Sequence, residues 1–110
     1  MRDITIKFIP ASKQRYDTAG DYWVDKRGVI QVRISKFRAQ RDEILVLIHE
    51  LTEMLLCLEH GVSFKAIDRF DMAFKGDGEP GDNPKAPYRQ QHRFAMRIEK
   101  LLARELRKGA

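Results

Sequence analysis

The stretch that decides how this chain folds runs Ile44-Leu45-Val46-Leu47-Ile48-His49-Glu50-Leu51-Thr52-Glu53-Met54-Leu55-Leu56-Cys57-Leu58. Apolar side chains occupy nearly every bearing of a helical wheel, which predicts a helix buried on most sides. One imidazole and two carboxylates sit inside that oily run. Burying such groups without partners is costly, and a metal ion would compensate them. His49 and Glu53 are four residues apart, so they share one helix face and can reach a single ion. Glu50 projects about 100° away from His49.

Outward from this stretch, the first helix is expected over residues 39–60. Asp42 and Glu43 fall in its early turns, where the helix dipole favours acids, and Gly61 ends it. Upstream, Ile4, Ile6 and Phe8 alternate with Thr5 and Lys7, a strand over about 3–9 that Pro10 terminates. Strands over about 21–25 and 29–35 flank Asp25-Lys26-Arg27-Gly28 and form a hairpin, with Gly28 suited to a positive φ. Ile30, Val32 and Ile34 share one face of the second hairpin strand and Gln31 and Arg33 the other, so that strand is expected to be half-exposed.

Downstream, Ser63 is a natural N-cap for a second helix over 64–75, with Phe64, Ile67, Phe70 and Phe74 apolar and Gly76 closing it. The segment 76–87 holds three of the four prolines and reads as a loop. Pro87 suits the first turn of a third helix over 88–108. With 110 residues the chain supports one core and not two. The expected fold is α+β: a single small domain over 1–110, with an N-terminal strand and a β-hairpin followed by three helices.

The third helix has two faces. Tyr88, His92, Ala95, Met96, Glu99, Leu102, Ala103 and Leu106 fall in one stripe, so the core side carries two polar residues, His92 and Glu99. The other side carries Arg89, Arg93, Arg97, Lys100, Arg104, Arg107 and Lys108. The formal charge is +5, from 21 Lys and Arg against 16 Asp and Glu. That permits contact with nucleic acid without requiring it. No aromatic residue interleaves the stripe, which argues against stacking on single strands. The lone cysteine, Cys57, has no partner for an internal disulfide and reads as a small core residue. No segment reads as a membrane span, and the N-terminus lacks the apolar stretch of a signal peptide. A cytoplasmic protein is the expectation.

A catalytic zinc site needs a third protein ligand and an open position. His60 lies on nearly the same helix face as His49 but about 16 Å further along a continuous helix, too far to serve. Glu99 and His92 remain. His92 is preferred, because it follows a proline-rich loop that can bring it over the first helix. His49, Glu53 and His92 would make a two-histidine, one-carboxylate set, suited to zinc and acceptable to iron or manganese. Glu99 would then steady a ligand from behind.

At this point the chain resembles the minimal zincin metallopeptidase plan, over roughly residues 20 to 107. Zincins carry HExxH where this chain has His49-Glu50-Leu51-Thr52-Glu53. More narrowly, that segment, Glu79-Pro80-Gly81-Asp82, Ala86-Pro87-Tyr88, and the following His92, Ala95 and Glu99 are similar to a family of small bacterial and phage proteins. The zincin resemblance implies that His49 and Glu53 are ligands and that Glu50 is the general base. It implies that the strand over 29–35 is an edge receiving an extended peptide. It also implies that Tyr88 can donate a hydrogen bond to an oxyanion, where a core tyrosine is the plainer reading. Glu53 departs from the zincin histidine: a carboxylate ligand lowers the charge of the centre and makes the ion a weaker Lewis acid. Two functions therefore stand side by side. One is a metal-dependent peptidase. The other is a basic nucleic-acid-binding or phage-assembly protein that keeps the scaffold without turnover.

Overall fold

A computed structural model describes residues 2–108. Three strands, β1 (Ile4–Ile9), β2 (Gly20–Val24) and β3 (Ile30–Ser35), precede three helices, α1 (Gln40–Glu59), α2 (Phe64–Ala73) and α3 (Arg89–Lys108). Short 3-10 turns follow β1 at Ala11–Lys13 and precede α3 at Pro80–Asp82. The architecture is α+β, with strands first and helices after. Among the described residues no helix is long and apolar enough to cross a membrane.

The sheet order is β1-β3-β2, with β1 parallel and β2 antiparallel to β3. Ile6 pairs with Val32 and Val32 with Tyr22, so the apolar positions of all three strands line up on one face. Helices α1 and α2 pack on that face: Tyr22, Ile30, Val32 and Ile34 join Met54, Cys57 and Ile67 in the core. Helix α3 packs along α1. The hairpin turn forms as its residues require. Gly28 sits at φ +83°, and the backbone N–H groups of Arg27 and Val29 both donate to Asp25 Oδ1.

Several expectations are corrected. The strand expected to offer an edge is the central one. β3 is paired on both sides, because β1 returns parallel to it, and the free edges belong to β1 and β2. Nor is β3 half-exposed. Its polar side is roofed by its own neighbours: Gln31 donates to Asp25 Oδ2 at 2.9 Å and accepts from Arg33, whose guanidinium lies over the Trp23 ring. Gln31 is 7% exposed as a result. α1 is not buried all round. Leu55 is 57% exposed, because a three-stranded sheet and α3 cover only part of its circumference.

α2 is capped as expected, the Ala66 N–H donating to Ser63 Oγ at 3.1 Å. It stops at Ala73, before Gly76. Phe74 is extended (φ −69°, ψ 129°), and its ring packs 6.0 Å from that of Phe70. The aromatic position counted in the helical pattern thus reaches its neighbour from outside the helix. Gly61 ends α1 with φ +74°.

Candidate metal centre

The i,i+4 spacing on α1 places His49 and Glu53 on its inward face, where both are buried. His49 Nε2 lies 3.2 Å from Glu53 Oε2. From α3, His92 brings Nδ1 to 2.9 Å from the same oxygen. Two imidazole nitrogens therefore converge on one carboxylate oxygen. One ligand atom from each residue can be chosen so that all three lie within 4.8 Å of one another. A tetrahedral site with bonds of about 2.1 Å separates its ligand atoms by about 3.4 Å. The cluster is close to that spacing already, and the donor set of two imidazoles and a carboxylate suits zinc.

Glu53 and His92 are held from behind by hydrogen bonds, and a carboxylate stands behind His49. Tyr22, on β2, donates its hydroxyl to Glu53 Oε1 at 2.7 Å, which leaves Oε2 facing the histidines. His92 Nε2 lies 3.0 Å from Asp82 Oδ1, in the turn before α3. His49 Nδ1 lies 3.0 Å from Glu99 Oε1 on α3, but off the line of a hydrogen bond, so this buried nitrogen lacks a proper partner. Carboxylates behind both imidazoles are what orients histidines at a metal.

Two glycines make room. A Cβ on Gly20 would come within 2.6 Å of Glu50 Cγ, and one on Gly81 within 2.5 Å of the His92 ring. The backbone of β2 thus presses against Glu50, and the loop before α3 presses against His92.

The charges are strongly coupled. Burial alone would lower the His49 pKa, but Glu53, Glu99 and Glu50 outweigh it and push it up to about 10. Burial opposes a rise at His92 too, and Glu53 overcomes it. Glu53 shows the complement: burial raises it, but His49, His92 and Tyr22 hydrogen-bond to its ionised form and hold it low. Glu50 lacks such partners. Burial and the Glu53 charge lift it well above the ordinary carboxylate range. Its Oε2 is 3.7 Å from His49 Nε2.

The other expected residues fall as follows. Glu99 stands behind His49 rather than beside Glu53. His60 is exposed and pairs with Gln91 through Nδ1 at 3.0 Å, away from the cluster. Tyr88 lines the same cavity as the histidines, yet its single hydroxyl proton goes to Asp71 Oδ1. In this arrangement that proton is engaged by Asp71. Arg93, Arg97, Lys100 and Arg104 lie exposed along α3, and Arg89 is half-buried.

Tyr22, Asp82, Asp71 and Glu79 escaped the sequence reading. Tyr22 lies in a strand and Asp71 in a short helix, and neither spacing marks it as part of a site. Asp82 and Glu79 sit in the 76–87 loop, in a segment that the family resemblance includes but to which it assigns no role. The glycine of Pro80-Gly81-Asp82 was the available signal, since it neighbours the carboxylate that meets His92.

No family model, curated protein or solved structure matches the chain.

Proposed function

We propose that this protein is a zincin-like zinc-binding hydrolase acting on peptide bonds, with His49, Glu53 and His92 as metal ligands and Glu50 as general base. The observation that supports it is the convergence of His49 Nε2 and His92 Nδ1 on Glu53 Oε2, with carboxylates behind both rings. A dication held there would polarise a carbonyl and acidify a water. The chain's own residues supply the rest. Tyr22 fixes the rotation of Glu53. Glu50, on the cavity wall with no hydrogen bond from any described side chain, takes and returns the proton. Two histidines and a carboxylate are a donor set that catalytic zinc sites use, with a fourth position left open.

The test is Glu50→Gln in zinc-loaded protein. Loss of peptide hydrolysis with zinc retained supports the assignment. Loss of zinc as well makes Glu50 a ligand instead of a base.

A second reading has one observation in its favour. Arg93, Arg97, Lys100 and Arg104 are exposed and, among the described residues, form no ion pair. Exposed cations along one helix face would contact phosphates, and such binding weakens as salt rises. Arg93→Glu with Arg97→Glu would weaken duplex binding and flatten its salt dependence. Binding unchanged by that pair removes the stripe from consideration.

A further inference from the structure

The cavity beside the histidines has a volume of about 160 Å³. Six carboxylates line it, and among the described residues lining it there is no lysine or arginine. The chain as a whole has the opposite balance, with 21 Lys and Arg against 16 Asp and Glu.

Four of the six are accounted for by their partners. Arg15 grips Asp21 at 2.8 and 3.0 Å. Glu53 holds the two histidines and Tyr22. Glu99 faces His49. Asp71 accepts the hydroxyls of Tyr16 and Tyr88. Glu50 and Glu79 are left. Glu50 is only 8% exposed and borders the cavity without a hydrogen bond from any described side chain. Among the described residues Glu79 meets neutral donors only: the Thr18 hydroxyl at 3.2 Å and the Ala19 backbone N–H.

Charge and size together select a ligand. With a dication on Glu53 and two neutral imidazoles, one positive charge remains, and Asp71, Glu79 and Glu99 outweigh it even with the Glu50 carboxyl neutral. A cavity so lined favours a cation over a neutral or anionic group. Its volume equals that of roughly five waters, well below the ~300–1,000 Å³ of sites that enclose a drug-sized ligand. It fits the end of a chain rather than a chain running through.

We infer that the cavity receives the protonated α-amino terminus of a peptide, with Glu79 as the carboxylate that pairs with it. This rests on the hydrolase reading above and names its substrate class. Glu79 immediately precedes the Pro80–Asp82 turn whose Asp82 backs His92. An amine held there places the first carbonyl of the peptide toward the histidines. Water adds to that carbonyl and the first C–N bond breaks. Glu50 carries the water's proton to the leaving amine, releasing one amino acid and a shortened peptide.

The experiment titrates L-alanyl-L-alanine amide and its N-acetyl counterpart, by calorimetry, into wild-type protein and Glu79→Gln. Each protein is used with and without zinc, and zinc content is measured on the same samples. The expected result is a preference for the free amine of about tenfold or more, reduced to about twofold or less in Glu79→Gln. Among the described residues Glu79 makes no hydrogen bond to any of the three metal ligands, so the preference is expected with and without zinc. Equal binding of the two peptides to wild-type protein overturns the inference whatever the zinc content, and so does a preference that survives in Glu79→Gln. Absence of zinc with the amine preference intact overturns the hydrolase reading and leaves the amine site standing.

Discussion

His92 Nδ1 and Glu53 Oε2 meet at 2.9 Å although 39 residues separate them in the chain. Glu53 is fixed by Tyr22 from the sheet side, and His92 by Asp82 from the loop side. The contact therefore ties together β2, α1, α3 and the turn before α3. What it joins is an anion between two imidazoles, and in the metal-free protein protons occupy the place a dication would take.

Among the described residues Tyr22 alone donates a hydroxyl to Glu53, and Tyr22→Phe removes it and leaves Oε1 buried without that donor. Zinc affinity is expected to fall about 10- to 100-fold, and stability by about 1–3 kcal/mol. Competition with a chromophoric chelator and denaturant unfolding read the two effects. Unchanged zinc affinity would mean that Glu53 is oriented by the metal alone.

Asp82→Asn separates orientation from folding. The Asp82 side chain is 63% exposed, so stability should change by less than about 0.5 kcal/mol. Behind a ligating His92, its loss should still weaken zinc binding about tenfold or more. Equal zinc affinity in the variant would place His92 outside the ligand set.

Glu50→Gln should stabilise the metal-free protein. The carboxylate is buried without a hydrogen bond from any described side chain; burial and Glu53 raise its pKa more than His49, 3.7 Å away, lowers it, and ionising it at neutral pH works against folding. A neutral amide of the same shape removes that penalty. A gain of about 1 kcal/mol or more is expected, a rise in melting temperature of about 4–8 °C. A lower melting temperature would mean that the Glu50 charge has a stabilising partner.

pH should act on the metal-free protein through His49. Its pKa rises from 6.5 to about 10 on folding. The folded state binds that proton more tightly, so the stabilisation is fully present below about pH 6.5 and is lost as pH climbs toward 10. Glu50 adds to the decline, since its pKa is also raised on folding. Glu53, held low, contributes in the other direction: its share is present above pH 4.5 and is lost under acid conditions. Zinc must displace the histidine protons, so binding at pH 7 should release about one proton per chain or more. Calorimetry in buffers of different ionisation enthalpy measures this. A binding heat that does not depend on the buffer contradicts the coupling.

Much of this was legible in the residues. The spacing of His49 and Glu53 is a property of any α-helix, and so is the appearance of His92 and Glu99 on the apolar face of α3. Local chemistry also announced the turn at Gly28, the cap at Ser63 and the stop at Gly61. What remained hidden depends on contacts between distant segments. Alternation in β1 identifies a strand but not its partner, and insertion of β3 between β1 and β2 removed the edge expected at 29–35. Nothing in the hydropathy of Tyr22 distinguishes a core ring from one whose hydroxyl steers a carboxylate. Asp82 and Glu79 look solvated until the loop folds back over α3. The Tyr88 proton could not be assigned before Asp71 was known to lie beside it.

The most direct measurement is metal content by elemental mass spectrometry on purified, untagged protein, beside His49→Ala and His92→Ala. About one zinc per chain is expected in the wild type and none in either variant. No zinc after dialysis against it, or zinc retained in both variants, would rule out His49, Glu53 and His92 as a zinc site.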